Sequence, residues 1–507
     1  MTSPVIIAVL AVYLVLLLAI GIWGGRESHD VEGYYAAGKK LPSWVLAFSS
    51  NATGESAWLL LGLTGMGYAV GMHALWVVAG EVLGVALAWT FVARPFKAYT
   101  DRYRSITVPD YLEDRFRDTS HTFRYLGAVI ILSMVAAYTA AQLTATGKAF
   151  DSFLGTGYEA GVLIGLAVIL FYTTVGGFKA VAYSDFVQGV LMLGCLFALP
   201  LVGIAAVGGW DAFVAGLRAA EPLALFGGQQ AAGMDLLLPG GGLGLTPEGI
   251  ASAAGFLGIG LAFLGAPQLL GRFLAARDQR EIVRAGPIAV GCIIVFDLGA
   301  VFAGMAGRVL FPGLADPETI MPAMASELFP AVFTGLFLVV VLAAIMSTVD
   351  SVLILASSSV VRDLVQKVFR PGATQRALSR LGKLVTVVLG LIGLALALAE
   401  VRLIFWFVLF AWSGLASAFT PVVLCSLFWA RTTRAGAIAG MVAGFVVTVV
   451  WVVWLKEGFY DLYEMLPGFA AGFLCTIGVS LLTEPPEGAA EEMAEIRSEL
   501  GSALRPR

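Results

Sequence analysis

The sequence predicts an all-α integral membrane protein with about thirteen transmembrane helices. Of its 507 residues, 59% are hydrophobic and only 13% are charged. Apolar stretches of about 20 residues, the length that crosses a bilayer as a helix, recur along the whole chain. The predicted spans lie at about residues 5–24, 44–70, 74–95, 125–147, 160–176, 183–207, 250–271, 285–307, 330–361, 384–399, 403–429, 435–455 and 467–483. This composition excludes a soluble enzyme, and the net charge of −4 gives no indication of a nucleic-acid partner.

The basic residues divide unequally between the two sides that this set of spans creates. Of the 31 lysines and arginines, 26 fall in alternate loops and the C-terminal tail, and five fall in the loops between them. Because basic loops stay in the cytoplasm, the N-terminus is expected outside and the C-terminus inside the cell. We therefore expect a multi-pass protein of the cell inner (plasma) membrane, surrounded by the lipid bilayer, with no protein partner implied.

The first span is expected to be a retained helix rather than a signal peptide. It follows Met1, Thr2, Ser3 and Pro4, without a basic region before it or a small-residue cleavage site after it. The four cysteines are scattered over separate spans, which indicates packing residues rather than disulfides or a metal site. They are Cys195, Cys292, Cys425 and Cys475.

Two spans are interrupted in corresponding places. The second contains the polar run Phe48–Ser56, with Gly54 and Glu55 inside it. The seventh, five spans later, is interrupted by Gly255, Gly258, Gly260, Gly265 and Pro267. Paired broken spans indicate a secondary transporter with its binding site at the membrane midplane, built from two five-helix units of inverted topology. The alternative is the ordinary tolerance of membrane helices for glycine.

The ninth span carries hydroxyls and an acid at a depth otherwise fit only for lipid, and such polar residues are a functional-site hypothesis by default. At about 100° per residue, one stripe of this helix contains four of its residues, with Asp350 at the edge. The stripe consists of Ala344, Ser347, Thr348 and Ser351. Oxygen ligands without His or Cys suit a hard cation. The alternative is that the hydroxyls bond their own helix carbonyls while Asp350 pairs with a buried base.

These features divide the chain into six segments. They are an extra N-terminal helix with the first cytoplasmic loop (1–43), a first repeat (44–207), an external loop (208–249), a second repeat (250–429), two peripheral helices (430–484) and a cytoplasmic tail (485–507). The glycine-rich external loop is expected to form an irregular cap, and the acidic tail a solvated helix.

Over almost its whole length the chain resembles the sodium:solute symporter family, nearest to the sodium/proline symporter branch. Five stretches carry the resemblance: LAAIMSTVDS at 342–351, VGGFKAVAYSDFVQ at 175–188, GAPQLLGRFLA at 265–275, TVPDYLEDRF at 107–116 and AWSGLASAFTPVVL at 411–424. The resemblance implies a LeuT-type fold of thirteen helices, with a 5+5 inverted repeat and discontinuous helices. It also implies inward transport driven by Na+.

The resemblance further implies two ion sites. The sodium site would use backbone oxygens of Ala52, Glu55 and Ala344 and the hydroxyls of Ser347 and Thr348, which agrees with the stripe. A second sodium site, present in some family members, would use Asp185, Ser347, Asp350 and Ser351. Relatives often have serine where this chain has Asp350, so proton substitution at the second site stays open.

The substrate residues that the resemblance implies differ in some positions from those of the proline branch. They are Gly54, Glu55, Trp58, Tyr138, Ile259, Phe263 and Pro267. The proline branch has an acid at the position of Gly54, whereas this chain has its acid one residue later. It also has Trp and Tyr at the positions of Ile259 and Phe263, so fewer polar groups here would contact a substrate.

We therefore expect a sodium-coupled symporter that imports a small organic solute, with proline or a related amino acid as the first candidate. The alternative is a proton-coupled or monocarboxylate carrier on the same scaffold, which Glu55, Asp185 and Asp350 suggest. A membrane enzyme has no support, since there is no His-Glu-x-x-His motif. Glu81 and Asp297, two acids deep in predicted spans, receive no role from the sequence, and His73 is expected to be exposed in an external turn.

Overall fold

The computed structural model describes residues 3–26, 30–221, 223, 225–226, 229–230, 235–399 and 404–502, and these residues are almost entirely helical. The helices are α1 Pro4–Gly25, α2 Val31–Ala36, α3 Ser43–Ala57, α4 Thr64–Val70, α5 Leu75–Leu87, α6 Ala93–Arg102, α7 Val108–Phe116, α8 Thr122–Leu154, α9 Tyr158–Val207, α10 Trp210–Ala219, α11 Pro247–Gly258, α12 Pro267–Ala275, α13 Gln279–Leu310, α14 Ile320–Leu328, α15 Ala331–Ser358, α16 Gln375–Leu398, α17 Ile404–Phe428, α18 Arg434–Val450, α19 Met465–Leu482 and α20 Ala489–Ser502. Two short strands, β1 Leu225–Phe226 and β2 Gln229–Gln230, pair antiparallel.

Several helices are joined or extended by tighter or wider turns. The 3₁₀ turns are Ala37–Lys39, Gly71–Ala74, Ile259–Leu264, Pro317–Thr319 and Lys456–Phe459. The π-helical turns are Trp58–Leu63, Ala88–Val92, Ser359–Phe369 and Trp451–Leu455. Single π turns inside helices are frequent at functional sites.

Eleven helical stretches among the described residues are long and apolar enough to cross a membrane. Two of them are much longer than one crossing requires. The stretch Ser43–Arg102 has 60 residues and Tyr158–Val207 has 50. At 1.5 Å per residue the shorter one would measure about 75 Å if straight, against a hydrocarbon core of about 30 Å. Each contains a glycine with positive φ, Gly71 at 55° and Gly177 at 63°, where the helix direction is interrupted.

Both spans that the sequence predicted to be interrupted are broken in the structure. In the second span Ser56 has φ 55° and ψ −166°, outside the helical region, and the π turn Trp58–Leu63 follows it. In the seventh span α11 gives way to the 3₁₀ turn Ile259–Leu264, and Pro267 then begins α12. A positive φ at a non-glycine residue costs on the order of 1–3 kcal/mol, so the surrounding packing must hold Ser56 in place.

Helix α15 lies at the centre of the bundle. From Thr334 to Ser359 nearly every side chain is buried, and the helix packs against α1, α3, α8 and α9. Helix α13 packs against α3 as well and also contacts α5. The outer helices expose large apolar side chains, such as Val12 and Val15 on α1, which is the pattern of a surface in contact with lipid.

The broken seventh span lies directly against α5. A Cβ atom added at Gly260 would overlap the carbonyl oxygen of Gly80, and one added at Gly84 would overlap the carbonyl oxygen of Gly260. The two backbones are therefore in contact, and only glycine allows this approach.

Two expectations about the exterior were wrong, and a third was right only in part. The external loop is not irregular throughout, because it contains α10, whose Phe213 and Leu217 are buried at helical spacing; residues 222, 224, 227–228 and 231–234 lie outside the described residues. His73 is fully buried, and its ring nitrogens lie 2.9 Å from Pro239 O and 2.8 Å from Ser252 Oγ.

The third expectation concerns the C-terminal tail, which forms the expected helix and is mostly exposed, but one of its faces is packed against the bundle. Helix α20 buries Met493 and Ile496, and it packs against α6. Arg102 on α6 lies 2.6 Å from Glu495. The spacing of three between the two apolar residues places them on one face, which explains the docking. Residues 503–507 lie outside the described residues.

We expect Gly260→Ala to destabilise the protein, because the added methyl group has to push two backbones apart. Overpacking of this kind costs about 1–3 kcal/mol or more. The apparent Tm of the purified protein in detergent measures the effect. The matched control is Gly291→Ala on α13, where an added Cβ meets no atom within 4 Å. Equal Tm values for the two variants would contradict the backbone contact.

Candidate functional site

The hydroxyls of α15 meet the backbone of α3 just before its break. Ser347 Oγ donates to Ala52 O at 2.9 Å and lies 3.0 Å from Ala344 O. Thr348 Oγ1 donates to Thr53 O at 3.1 Å and lies 3.3 Å from Ala344 O. All these groups are buried. The result is a cluster of hydroxyl and carbonyl oxygens with no charge of its own.

Four of the five predicted sodium ligands are thus brought together. The exception is Glu55, whose carbonyl oxygen accepts the N–H of Trp58 across the break. Thr53 supplies a carbonyl in addition, which the sequence did not indicate. Which carbonyls are free depends on the residue at which the helix unwinds, and the sequence left this open within the run Phe48–Ser56.

A hard monovalent cation suits this oxygen cluster. Neutral oxygens coordinate such an ion without leaving excess negative charge in the core. Each hydroxyl donates its proton to a carbonyl of the chain and keeps lone pairs that an ion can use. Ala52, Thr53, Ala344, Ser347 and Thr348 are the residues that would hold Na+, and they join α3 to α15.

The predicted second ion site is arranged around Arg272 on α12, a residue that the sequence patterns did not single out. Its Nη2 lies 3.2 Å from Asp185 Oδ2 and donates to Thr53 Oγ1 at 2.6 Å. The same nitrogen donates to Ser351 Oγ. Its Nε donates to Ser49 Oγ at 3.2 Å. The guanidinium is completely enclosed, with a side-chain exposure of 1%.

The four residues predicted for this second site converge only in part. Ser351 Oγ donates to Asp350 Oδ1 at 3.2 Å and accepts a hydrogen bond from Arg272. Asp185 and Ser351 contact Arg272, whereas Asp350 accepts a hydrogen bond from Tyr172 Oη at 2.7 Å. Ser347 directs its hydroxyl to the first cluster. Asp185 therefore has a positive charge beside it that the chain itself supplies, and the second sodium site stays a prediction. Arg272 stands in the stretch GAPQLLGRFLA, five residues after Pro267, and its position near the end of the span suggested a cytoplasmic loop.

A small cavity adjoins Arg272. It has a volume of about 40 Å³, and its lining includes Pro267, Gln268, Ser351 and Ser358. A water molecule occupies about 30 Å³ in the liquid, so the cavity has room for an ion or a water molecule. It is much smaller than the roughly 300 Å³ or more that small-molecule sites require.

Six of the seven predicted substrate residues form two groups, and the seventh, Pro267, lines the cavity beside Arg272. In the first, the Phe263 ring lies so close to Gly54 that an added Cβ would be 2.7 Å from its Cε1 atom. A side chain at residue 54 is therefore incompatible with Phe263 in this position, which explains why this chain has no acid there. Ile259 O accepts a hydrogen bond from Trp412 Nε1 at 3.2 Å, and Trp412 packs edge-on against Phe263 at 5.4 Å.

The second group surrounds the acid that follows Gly54. Tyr138 on α8 and Trp58 are buried, with exposures of 1% and 3%. Tyr138 lies within electrostatic reach of Glu55 and Glu81. Glu55 therefore faces the region between α3, α5 and α8, away from the hydroxyl cluster.

A buried ionic network joins α7, α8 and the π-helical extension of α15 at one end of the bundle. Arg124 at the start of α8 lies 2.6 Å from Asp110 and 3.0 Å from Asp363, and Arg362 lies 3.0 Å from Asp110. Burial alone would raise the pKa of Asp110, but Arg362 and Arg124 outweigh it and hold this pKa below its ordinary value. The network joins the short helix α7 to the end of the hydroxyl-bearing helix.

Comparison with known proteins agrees with this arrangement. The model of the sodium:solute symporter family matches residues 34–444. The high-affinity proline transporter PutP of Bacillus subtilis is 36% identical over 481 residues, which cover 93% of this chain and 97% of the relative. The sodium/proline symporter of Salmonella typhimurium is 34% identical over 500 residues, which cover 97% and 95%.

Solved structures show the same fold. A Na+-coupled sialic acid symporter in a substrate-bound outward-open state has a TM-score of 0.79 at 18% identity, covering 95% of this chain and 99% of its own. MhsT in complex with L-phenylalanine has a TM-score of 0.52 at 14% identity, covering 86% and 98%. These neighbours have the LeuT-type fold that the sequence implied. The chain belongs to the sodium:solute symporter family and is a Na+-coupled secondary transporter rather than an enzyme.

Proposed function

We propose that this transporter imports proline, or a closely related small amino acid, together with Na+. The contact of Ser347 and Thr348 with the carbonyls of Ala52 and Thr53 carries the proposal, because it connects an ion site to the break in the second span. The choice of substrate is supported by the relatives, which are named a proline transporter and sodium/proline symporters.

Coupling follows from this shared backbone. The carbonyls of Ala52 and Thr53 belong to the same turn that places Gly54, Glu55 and Trp58. An ion that binds the oxygen cluster fixes this turn against α15 and so orients the residues on the substrate side. By linkage, a substrate that fixes the same turn raises the affinity for the ion by the same factor.

We further propose thirteen membrane crossings in the plasma membrane, with the N-terminus outside and the C-terminus in the cytoplasm. Eleven apolar stretches among the described residues support this number, because two of them are long enough to cross twice and are interrupted near Gly71 and Gly177. The excess of basic residues in alternate loops supports the orientation. The two inverted repeats would then be 44–207 and 250–429, separated by the external loop 208–249. The N-terminal segment 1–43, the peripheral helices 430–484 and the tail 485–507 would lie outside the repeats.

The function is tested by uptake of labelled L-proline into proteoliposomes under an inward Na+ gradient and, separately, an inward proton gradient. We expect saturable uptake with Na+ alone, because the oxygen cluster carries no group that needs a proton. Na+-dependent uptake of another solute without proline uptake would contradict the substrate. Uptake driven only by protons would contradict the ion site and favour a proton-coupled carrier.

We expect Ser347→Ala and Thr348→Ala to raise the Na+ concentration for half-maximal uptake by roughly tenfold each, because each removes one oxygen from the ion. A tenfold change corresponds to about 1.4 kcal/mol. Initial uptake rates over a range of Na+ concentrations measure it. Thr448→Ala on α18 is the matched control, since the hydroxyl of this buried threonine donates to a carbonyl one turn earlier, Gly444 O at 2.8 Å. If the Na+ concentration for half-maximal uptake is unchanged in both variants, the assignment of the ion site is wrong.

We also propose that Arg272 occupies the place of a second cation beside Asp185, which predicts strong thermodynamic coupling between the two residues. Asp185→Asn and Arg272→Gln should each be strongly destabilising, by about 3–5 kcal/mol, because each leaves the partner's charge buried and unpaired. The double variant should lose much less than the sum of the two. Thermal unfolding of the four proteins in detergent gives the comparison, and additive losses would contradict the pairing.

A further inference from the structure

Three carboxylates meet in the core, away from the hydroxyl cluster and from Arg272. Glu55 comes from α3, Glu81 from α5 and Asp297 from α13, and an oxygen of each lies within 4.8 Å of an oxygen of the other two. Glu55 and Asp297 are 0% exposed and Glu81 is 3% exposed. We refer to these three residues as the acid trio.

The described residues of the chain provide no hydrogen-bond donor for most of the oxygens of the acid trio. Both oxygens of Glu55, both of Asp297 and Oε2 of Glu81 are buried and accept no hydrogen bond there. A fully buried carboxylate without a donor or a counter-ion is strongly unfavourable. Glu55 is the clearest case, since it combines complete burial with two unpartnered oxygens close to the other two acids.

Asp185 provides an internal comparison. It is equally buried, yet the chain supplies it with Arg272 at 3.2 Å, Ser49 Oγ at 2.6 Å and Thr53 Oγ1 at 3.4 Å. The fold thus neutralises a single acid with its own groups and leaves a group of three without any in the described residues. The described residues hold no group that neutralises the trio, and we infer that a bound ion or a proton does so.

The acid trio also lies where both broken spans approach each other. Glu55 immediately precedes Ser56, at which the second span unwinds. Glu81 follows Gly80, whose carbonyl contacts Gly260 in the unwound turn of the seventh span. Helices α3 and α5 both contact α13, which carries Asp297. A ligand held here would contact the elements whose irregular backbone lines the midplane of such transporters.

We propose that Glu55, Glu81 and Asp297 form a binding site for a hard metal cation, separate from the hydroxyl site. Carboxylate oxygens are the ligands such ions prefer, at about 2.3–2.6 Å for an ion of the size of Ca²⁺, so two opposite ligands lie roughly 4.6–5.2 Å apart. The oxygens of the trio lie within 4.8 Å of one another, which agrees with this separation between ligands of one ion. The three negative charges of the trio favour a divalent ion such as Ca²⁺, whereas Na+ is the ion that the transporter already uses. Both ions bind carboxylate oxygens, and the experiment below distinguishes them.

A shared proton explains the trio less completely. Glu81 and Asp297 are close enough to share one through a side-chain hydrogen bond. Glu55 has no hydrogen bond to either of them, although its carboxylate lies within 4.8 Å of both, so a proton shared by the other two leaves Glu55 without a partner. A metal ion accounts for all three residues at once. This inference does not depend on the proposed substrate or on the hydroxyl site.

The test measures ion binding in a protein whose hydroxyl site has been removed. The full chain carrying Ser347→Ala and Thr348→Ala is purified into lipid nanodiscs, and equilibrium binding of ²²Na+ and of ⁴⁵Ca²⁺ is measured in separate experiments at pH 8. We expect one bound ion per chain, and the isotope that binds identifies this ion as Na+ or Ca²⁺. Adding Asp297→Asn or Glu81→Gln should weaken binding at least tenfold. Asp211→Asn, at an exposed acid at the start of α10, should leave it unchanged.

Two acid variants keep the test valid if one of them fails to give a monodisperse protein. Binding of neither isotope, or binding that Asp297→Asn and Glu81→Gln leave unchanged, overturns the proposal. If no metal binds and Asp297→Asn instead abolishes the pH dependence of substrate uptake, the trio is a proton site. If no metal binds and the variants lose binding of labelled proline, the acids contact the substrate amine.

The result also separates the two ion sites. If the unmodified protein binds one ion more than the hydroxyl-deficient protein, both sites exist. If the two proteins bind equally and Asp297→Asn still removes the ion, the hydroxyl assignment fails while the acid trio remains. Failure of one proposal is therefore distinguishable from failure of the other.

Discussion

The unwinding of the second span at Ser56 is the constraint on which the rest of the site depends. A continuous helix satisfies its own carbonyls, whereas a helix that ends within the membrane leaves some of them available for other partners. Ser347 and Thr348 use two of these carbonyls, and Thr53 contacts Arg272 and Ser351 through its hydroxyl. The turn just before the break thus carries both the carbonyls of the hydroxyl cluster and Glu55. Loss of the strained conformation at Ser56 would separate all of these groups.

Much of the architecture could be predicted from the sequence because the signals are local. Polar residues and glycines within apolar runs identified both broken spans, and helical spacing placed Ser347 and Thr348 on one stripe. The conformation at the break is not local, since packing against α15 and α8 decides that Ser56 is the residue that unwinds. For this reason Thr53 rather than Glu55 supplies a carbonyl to the hydroxyls, which the sequence could not indicate.

The remaining site residues could not be predicted because their partners come from distant helices. Glu55, Glu81 and Asp297 each appear as an isolated acid in a separate span, and nothing in their spacing indicates that they meet. Arg272 comes directly after the last residue of the predicted seventh span, so its position suggested a loop, although the structure places it in α12 and buries it beside Asp185. Phe263 excludes a side chain at Gly54 through a contact between two spans that are far apart in the sequence. Such contacts depend on how the helices pack across the bundle, and no local sequence pattern indicates them.

The buried pairing of Arg272 with Asp185 has a consequence for the stage of the cycle in which the carrier has released its cargo. A transporter that imports solute must return to the outside empty, and an uncompensated carboxylate in the core would oppose that movement. Here the positive charge near Asp185 is covalently tethered, so it stays when the solute has left. If Arg272 takes the place of a second cation, as we propose, the unloaded protein reorients without carrying an ion for this acid. A built-in counter-charge of this kind favours rapid resetting and limits futile leakage of ions during the return.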